Sequence, residues 1–304
     1  MINRSSLKYS LKKILPQSLF KIVLTVWQKG ILRIVEKIDT FRVRTFTTYR
    51  PVKLTHRKHT FSLFISPDNG FIDRHIFLYG VYEPFMLDLF SVYLKPGQTF
   101  VDIGANIGQH TMYAASIVGE TGSVHAFEPI PAIYRQIEDS VKENHFEKIV
   151  HIHNCALGET EATEKLFISK NVGGSSLVND DETKETITVH IKNGDKELSG
   201  ISKIDVIKID VEGYEYEVLT GIKQTLLAHK PVLFLEFSGN FYDKQRKGNG
   251  AKILKLLREC NYSLFDIEDE MKKITDDTKF DETISKLRKQ TNLLCIPVIK
   301  FVKL

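Results

Sequence analysis

Short apolar runs alternate with helical patterns through most of the 304-residue chain. The runs "DVIKID" and "PVLFLEF" are almost continuously apolar, which is typical of strands buried on both faces of a parallel sheet. The pattern predicts strands at Thr99–Ile103, Ser123–Phe127, Ile149–Asn154, Asp205–Ile209, Val232–Phe237, Tyr262–Ile267 and Leu293–Ile299. It predicts intervening helices at Gln109–Ile117, Ala132–Asn144 and Tyr214–Ala228. This alternation indicates a mostly parallel sheet with helices on both faces.

The segments before the first and after the third predicted strand do not follow this alternation of strands and helices. Before them, "FSLFIS" and "FIDRHIFLYG" flank a Pro-Asp-Asn-Gly turn and predict two β-rich runs. The following "EPFMLDLFSVYL" has helical periodicity and ends at "KPG". After the third strand, Leu157 to Lys203 shows no helical pattern, and we interpret it as a hairpin inserted before the fourth strand.

The amino-terminal part of the chain is strongly basic. Residues 1–58 contain 14 Lys and Arg and two acids, which gives them a net charge of +12. Because the whole chain has a net charge of +4, residues 59–304 have a net charge of −8. Leu19, Ile22, Val26 and Trp27 lie at helical spacing, which favours an amphipathic helix that binds an anionic membrane surface or packs on the body. We therefore predict a basic helical extension over residues 1–51 and a catalytic domain over residues 52–304.

Composition narrows the protein class further. Hydrophobic residues make up 42% of the chain, enough for a sizeable core. The three cysteines are widely spaced and form no Cys-x-x-Cys motif, which argues against a disulfide scaffold and for a reducing, cytoplasmic environment. The longest uncharged run of the basic extension, Ile22–Gln28, is far shorter than the ~20 apolar residues that span a bilayer, so we predict at most peripheral attachment to a membrane.

The segment "DIGANIG" follows the first strand of the sheet, where open α/β sheets bind their ligands. Asp102 precedes Gly104, and Gly108 follows four residues later. Asn106 occupies the position at which a dinucleotide fingerprint needs a second glycine, and the Asp102 carboxylate would repel phosphates. An NAD-dependent oxidoreductase is therefore disfavoured.

A ligand with positive charge and no phosphate suits this loop better. S-adenosylmethionine carries a sulfonium and an ammonium group, and the two glycines would let the backbone pass close to its methionine part. Glu128 ends the second strand 20 residues after Gly108, where an acid that accepts both ribose hydroxyls is expected. Asp102, Gly104, Gly108 and Glu128 together predict an S-adenosylmethionine site.

The segments "LKPGQTFVDIGANIGQHTMYAA", "VHAFEPIP", "NCALG", "GGSSL" and "IDVIKIDVEGYEYEVLTGI" resemble the FkbM family of S-adenosylmethionine-dependent methyltransferases. The resemblance implies a Rossmann-like, seven-stranded class I methyltransferase sheet and O-methylation of sugar or polyketide hydroxyls. It also implies adenine contacts after the third strand. The cofactor-binding residues that we predict are Asp102, Gly104, Ala105, Asn106, Gly108, Thr111, Glu128, Pro129, Asn154 and Ala156.

Three acids are expected where the methyl group is transferred. Asp210 and Glu212 follow the fourth strand, and Glu236 lies near the end of the fifth. One of them would serve as a general base with a raised pKa, because neighbouring like charges disfavour ionisation. Alternatively a pair would hold Mg²⁺ and orient a diol. We prefer the base, with Asp210 ranked before Glu236 and Glu212 third.

Other motifs have more than one interpretation. The Gly-Ser stretch Asn171–Leu177 is either a lid over the acceptor or a hairpin turn, and we prefer the lid. Glu83 in "GVYEP" is either a pocket residue or an ordinary surface acid. His151 and His153 share a strand face, but without a third ligand nearby we assign no metal site to them.

The predicted function is therefore O-methylation of a hydroxyl on a sugar, glycan or related natural product. The alternative is a non-catalytic protein of the same fold that docks on a membrane or nucleic acid through the basic extension. Aromatic residues of the extension lie mostly on its apolar side, so we expect no nucleic-acid partner.

Overall fold

The computed structural model of the protein describes residues 48–66, 70–169, 183–238, 249–287 and 290–298. The chain divides into two units after Thr48, and the described strands and helices belong to the second unit. The predictions for residues 1–47 and for the Asn171–Leu177 lid lie outside the described residues.

The described strands are β1 (Arg50–His56), β2 (His59–Ile65), β3 (Thr99–Ile103), β4 (Ser123–Phe127), β5 (Val150–His153), β6 (Ala156–Gly158), β7 (Ala162–Ser169), β8 (Thr183–Asn193), β9 (Val206–Ile209), β10 (Val232–Phe237), β11 (Tyr262–Asp266), β12 (Lys272–Lys273) and β13 (Thr291–Pro297). The described helices are α1 (Phe71–Tyr79), α2 (Pro84–Tyr93), α3 (Gln109–Val118), α4 (Pro131–Glu143), α5 (Gly194–Leu198), α6 (Glu215–Gly221), α7 (Lys223–His229), α8 (Asn249–Glu259) and α9 (Asp277–Leu287).

The main sheet has the strand order β12-β11-β13-β10-β9-β3-β4-β5. The five strands from β5 to β10 pair in parallel, whereas β13, β11 and β12 are antiparallel to their neighbours. The sheet thus contains the seven strands that the sequence predicted, together with the two-residue strand β12. The prediction of a mostly parallel sheet flanked by helices is confirmed.

The central strands are buried because a hydrophobic core lies on each face of the sheet. On β3, Phe100 belongs to one core and its neighbour Val101 to the other; Val206 and Ile207 on β9 divide in the same way. All four residues of β9 are buried. Burial on both faces explains the continuous apolar runs in the sequence.

Two smaller sheets are added to this framework. The β1–β2 hairpin is held against α4, where the backbone N–H of Ser62 donates to Asn144 and that of Phe64 donates to Ser140. β1 begins at Arg50, two residues before the predicted domain boundary. Strands β6, β8 and β7 form a three-stranded sheet in which β7 and β8 are the predicted inserted hairpin.

Three local predictions were wrong. The run "FIDRHIFLYG" forms helix α1 instead of a strand, because its buried residues Asp73 and Ile76 are three apart and share one helix face. The Asp73 carboxylate accepts from the Ser66 N–H and the Gln136 amide, which anchors the helix to its neighbours. The predicted helix Tyr214–Ala228 is divided into α6 and α7 at Ile222. The insert that was predicted to lack helices contains the short helix α5.

Within the described residues, no helix combines the length and apolar character that crossing a bilayer requires. Cys155, Cys260 and Cys295 are all buried free thiols, which agrees with the prediction that the chain is not a disulfide scaffold.

Candidate active site

A cavity of about 320 Å³ lies at the carboxyl ends of β3, β4, β9 and β10. Small-molecule sites in open α/β sheets occur at this edge, and cavities of this size are within their usual range. The loops after β3 and β4 line one part of the cavity, and the segment after β9 lines another. The candidate site is therefore built from the strand ends that the sequence analysis singled out.

The loop after β3 depends on Gly104 for a reason that the sequence did not reveal. Gly104 has φ = 80°, and a Cβ at this position would overlap the backbone carbonyl of Asp210 in the loop after β9. The glycine was predicted to let the backbone approach the cofactor. The structure shows that it also lets two loops of the protein pack against each other, so both keep a defined position at the cavity.

Asp102 does not line the cavity, in contrast to its predicted contact with the cofactor. Its side chain is completely buried, and its Oδ2 accepts a hydrogen bond of 2.7 Å from the Thr111 hydroxyl. Its Oδ1 lies 3.5 Å from Nζ of Lys208. Burial raises the pKa of Asp102, and the nearby Lys208 ammonium offsets this rise only in part. Asp102 and Lys208 form a buried pair that holds the Lys208 ammonium in position.

Lys208 is the buried cation beneath the cavity and connects the loops around it. Its ammonium donates to the Gly104 carbonyl at 2.9 Å and lies 3.2 Å from Oδ2 of Asp210. Burial lowers the pKa of Lys208, but Asp210 and Asp102 outweigh this effect and the net shift is upward. Lys208 therefore stays charged and fixes the Asp210 carboxylate in place.

Glu128 lines the cavity, and its carboxylate is held by the backbone of two neighbouring segments. Its two carboxylate oxygens accept from the backbone N–H groups of Asn106, at 3.0 Å, and Ile130, at 2.9 Å. The Asn154 amide donates to the Glu128 carbonyl at 2.8 Å. Burial raises the pKa of Glu128 to about 7. A carboxylate has about four lone-pair sites, so Glu128 retains acceptor capacity toward a ligand diol.

The predicted cofactor residues separate into two groups. Those that line the cavity are Gly104, Asn106, Glu128, Pro129 and Ala156. Those that do not line it are Asp102, Ala105, Gly108, Thr111 and Asn154. Three residues of the second group support the structure around the cavity. Gly108 is the N-cap of α3 and has a left-handed conformation, Thr111 donates to Asp102, and Asn154 donates to the Glu128 carbonyl.

The three predicted catalytic acids all line the cavity. Asp210, Glu212 and Glu236 each offer an oxygen within 4.8 Å of the other two. Oε2 of Glu236 is buried and has no hydrogen-bond partner among residues 48–66, 70–169, 183–238, 249–287 and 290–298. Burial raises the pKa of Glu236 well above its ordinary value, and the charges of Asp210 and Glu212 raise it further. One of these acids was predicted to have a raised pKa, and in the structure this acid is Glu236.

A fourth acid reaches the cavity from the segment between α1 and α2. Glu83 has a left-handed backbone with φ = 47°, and burial followed by the charge of Asp210 raises its pKa to about 7. The neighbouring Tyr82 is held on α3 by two hydrogen bonds with the Gln109 side chain, of 2.6 and 2.8 Å. The sequence analysis singled out Glu83 but missed Tyr82 and Gln109, because only the fold brings them together.

The cavity also has an aromatic side. Phe71 and Tyr82 line it, and their ring centroids lie 6.1 Å apart with the rings nearly perpendicular. Phe71 is 54% exposed although it contacts the cavity, so its ring is accessible to a ligand. No pattern of sequence spacing linked these two residues, since Phe71 was predicted to lie in a strand.

The parallel sheet, the glycine-containing loop and the acids at its carboxyl edge define a class I methyltransferase. A family model described as "Methyltransferase FkbM domain" matches residues 102–264, which is more than half of the chain. The protein therefore belongs to the FkbM methyltransferase family and is an S-adenosylmethionine-dependent methyltransferase.

Two curated relatives of the chain carry the name methyltransferase. Methyltransferase 1 of Beauveria bassiana is 28% identical over 190 residues, which cover 53% of this chain and 72% of that protein. Hexuronic acid methyltransferase AglP of Haloferax volcanii is 28% identical over 127 residues, which cover 41% of this chain and only 50% of that protein.

Solved structures of methyltransferases also resemble the chain. The FkbM methyltransferase of Methylobacillus flagellatus KT aligns with a TM-score of 0.42 and 15% identity, over 74% of this chain and 54% of that one. An S-adenosylmethionine-dependent O-methyltransferase of Thermotoga maritima aligns with a TM-score of 0.40 and 14% identity, over 83% of this chain and 78% of that one.

Proposed function

We propose that the protein transfers a methyl group to a hydroxyl of a sugar or glycan-like acceptor. The observation that supports this proposal is the composition of one cavity, in which Asp210, Glu212 and Glu236 occur together with the Phe71 and Tyr82 rings. Carboxylates accept hydrogen bonds from hydroxyl groups, and aromatic faces contact the apolar faces of pyranose rings. AglP, whose name describes a hexuronic acid methyltransferase, supports a sugar acceptor in the family.

The residues present fit S-adenosylmethionine, which supplies the electrophilic methyl group when bound. Glu128 would accept the ribose hydroxyls, and Gly104, Asn106 and Ala156 would line the same part of the cavity. Alignment of acceptor and methyl group contributes most to such a displacement, with effective molarities of ~10⁵–10⁸ M, and a general base adds ~10²–10⁴-fold.

We assign the general base to Glu236 and reverse the ranking made from the sequence. The Asp210 carboxylate is bound to Lys208 at 3.2 Å, so its charge is already compensated. Among the described residues, Oε2 of Glu236 has no hydrogen-bond partner, and burial raises the pKa of Glu236. A base is most effective when its pKa lies near the working pH, which an ordinary glutamate does not satisfy. A hydroxyl of the acceptor would donate to Oε2 and then transfer its proton there.

A Mg²⁺ ion held by Asp210, Glu212 and Glu236 is the alternative assignment of the same acids. Carboxylate oxygens are suitable ligands for Mg²⁺, and the unpartnered Oε2 would be satisfied by one. The Lys208 ammonium beside Asp210 reduces the negative charge available to a second cation, so we prefer the metal-independent base.

The test is methyl transfer from labelled S-adenosylmethionine to a panel of simple glycosides, preceded by calorimetry with S-adenosylhomocysteine and NAD. We expect binding of S-adenosylhomocysteine, no binding of NAD, and label on at least one glycoside hydroxyl. Binding of S-adenosylhomocysteine without transfer to any sugar, together with transfer to a non-sugar hydroxyl compound, would contradict the proposed acceptor class.

We also propose that the basic extension attaches a cytoplasmic enzyme to an anionic membrane surface. The observations behind this proposal are the charge of residues 1–58 and the amphipathic spacing in the sequence. The full chain should pellet with phosphatidylserine-containing vesicles, and substitution of Lys12, Lys13 and Lys21 by Glu should abolish pelleting. Added salt should weaken it, because attraction to head groups is screened beyond ~8 Å at physiological ionic strength.

A matched control reverses three exposed lysines of the catalytic unit, Lys148, Lys279 and Lys286. This variant changes the net charge by the same amount and should still pellet. Equal loss of pelleting in both variants would show that net charge, and not the extension, drives the attachment.

A further inference from the structure

The charges around the cavity are unbalanced. Among the described residues, its lining includes the five carboxylates of Glu83, Glu128, Asp210, Glu212 and Glu236 and contains no lysine, arginine or histidine. Glu128 belongs to the part of the cavity assigned to the cofactor, which leaves four acids for the acceptor. Besides the apolar and aromatic lining, a ligand that enters this part meets carboxyl groups and neutral polar groups, and no described cationic side chain.

The nearest buried cation does not offset these charges toward the ligand. Lys208 is 5% exposed, does not line the cavity, and directs its ammonium to the Gly104 carbonyl, Asp210 and Asp102. Its donors are therefore engaged within the protein. An anionic acceptor would have to approach the carboxylates without a described cationic side chain to bind it.

One oxygen of the site lacks a hydrogen-bond donor. Oε2 of Glu236 is buried and has no hydrogen-bond partner in the part of the chain that the structure describes, and a buried acceptor in this state is costly unless a ligand satisfies it. A hydroxyl or an ammonium group would donate to it, whereas a carboxylate or phosphate of a ligand would add a further acceptor. Both the charge and the missing donor favour the same kind of ligand.

We infer that the acceptor presents hydroxyl or ammonium donors and no negative charge within this cavity, and that Glu83 contributes to this selectivity. The inference rests on the proposed function and names its substrate class: a neutral sugar or an amino sugar. The site would discriminate against the uronic acids that the name of the relative AglP specifies. Glu83 is suited to this role because it comes from a different segment than the three clustered acids and extends the acidic lining.

The experiment compares kcat/KM for the methyl glycosides of glucose, glucosamine and glucuronic acid, with the wild-type protein in EDTA. The glucuronide should be used on the order of 100-fold less efficiently than the glucoside, because like charges brought together at an interface are strongly unfavourable. The glucosaminide should be used at least as well as the glucoside. If the glucuronide is used as efficiently as the glucoside, this inference is overturned, but the proposed transfer to a sugar hydroxyl is not.

Variants locate the selectivity. Glu83→Gln should reduce the ratio of glucoside to glucuronide efficiency by about tenfold, and Glu212→Gln provides a second variant should the first fail to fold. The matched control is Glu120→Gln, which neutralises an exposed acid at the opposite edge of the sheet and should leave the ratio unchanged. An unchanged ratio in both cavity variants would overturn the inference. Absence of transfer to all three glycosides would refute the proposed sugar acceptor, and this inference with it.

Discussion

Substitution of Glu236 by Gln is expected to lower turnover by ~10²–10⁴-fold while leaving the affinity for S-adenosylhomocysteine nearly unchanged. Gln keeps the size of the side chain but cannot accept a proton from the acceptor hydroxyl. In the wild type, activity should rise with pH through the pKa of Glu236, because the base works only when ionised and burial raises that pKa. Single-turnover rates at several pH values, with binding followed by calorimetry, provide the measurement.

The control for this prediction is Asp210→Asn, tested with and without EDTA. If Glu236 is the base, this variant should lose less activity than Glu236→Gln, and EDTA should have no effect on the wild type. A larger loss in Asp210→Asn would restore the ranking made from the sequence. Activity abolished by EDTA and recovered with Mg²⁺ would instead support a metal held by Asp210, Glu212 and Glu236, the group that the structure brings within 4.8 Å.

Substitution of Lys208 by Met should destabilise the protein by ~3–5 kcal/mol. Removal of one partner leaves the completely buried Asp102 carboxylate without its compensating cation, and breaking a buried ion pair typically costs this much. The Gly104 carbonyl also loses its hydrogen bond from Nζ, so the loop after β3 should loosen. Urea unfolding measures the free energy of unfolding, and calorimetry reports the accompanying loss of cofactor affinity.

Two comparisons test the reason for this cost. Lys203 is exposed and donates only to the His229 carbonyl, so Lys203→Met should cost about 1 kcal/mol or less. Adding Asp102→Asn to Lys208→Met should recover part of the lost stability, because the buried charge is then removed as well. If the loss of stability in the double variant equals the sum of the losses in Asp102→Asn and Lys208→Met, the proposed coupling between the two residues is contradicted.

Strand positions were predicted well because the signal is local. The ends of β3, β4 and β10 coincide with the predicted ends, since a strand buried on both faces appears as an uninterrupted apolar run. Helix α1 was predicted as a strand because aromatic and β-branched residues, which are abundant in this segment, are enriched in strands. Its conformation depends on the contacts of Asp73 with Ser66 and Gln136, and Gln136 lies 63 residues further along the chain.

The sequence by itself determined the order of the elements, the family, and which acids lie at the carboxyl edge of the sheet. These features follow from short-range patterns: each strand carries its acid at its own end, and parallel strands present those ends together. The tertiary structure decided how the acids differ. Asp102 and Asp210 bind the buried Lys208, while Oε2 of Glu236 is left without a partner and Glu83 joins the site from a distant segment. Burial and charge neighbours arise only when separate segments pack, and they set the protonation and hence the role of each carboxylate.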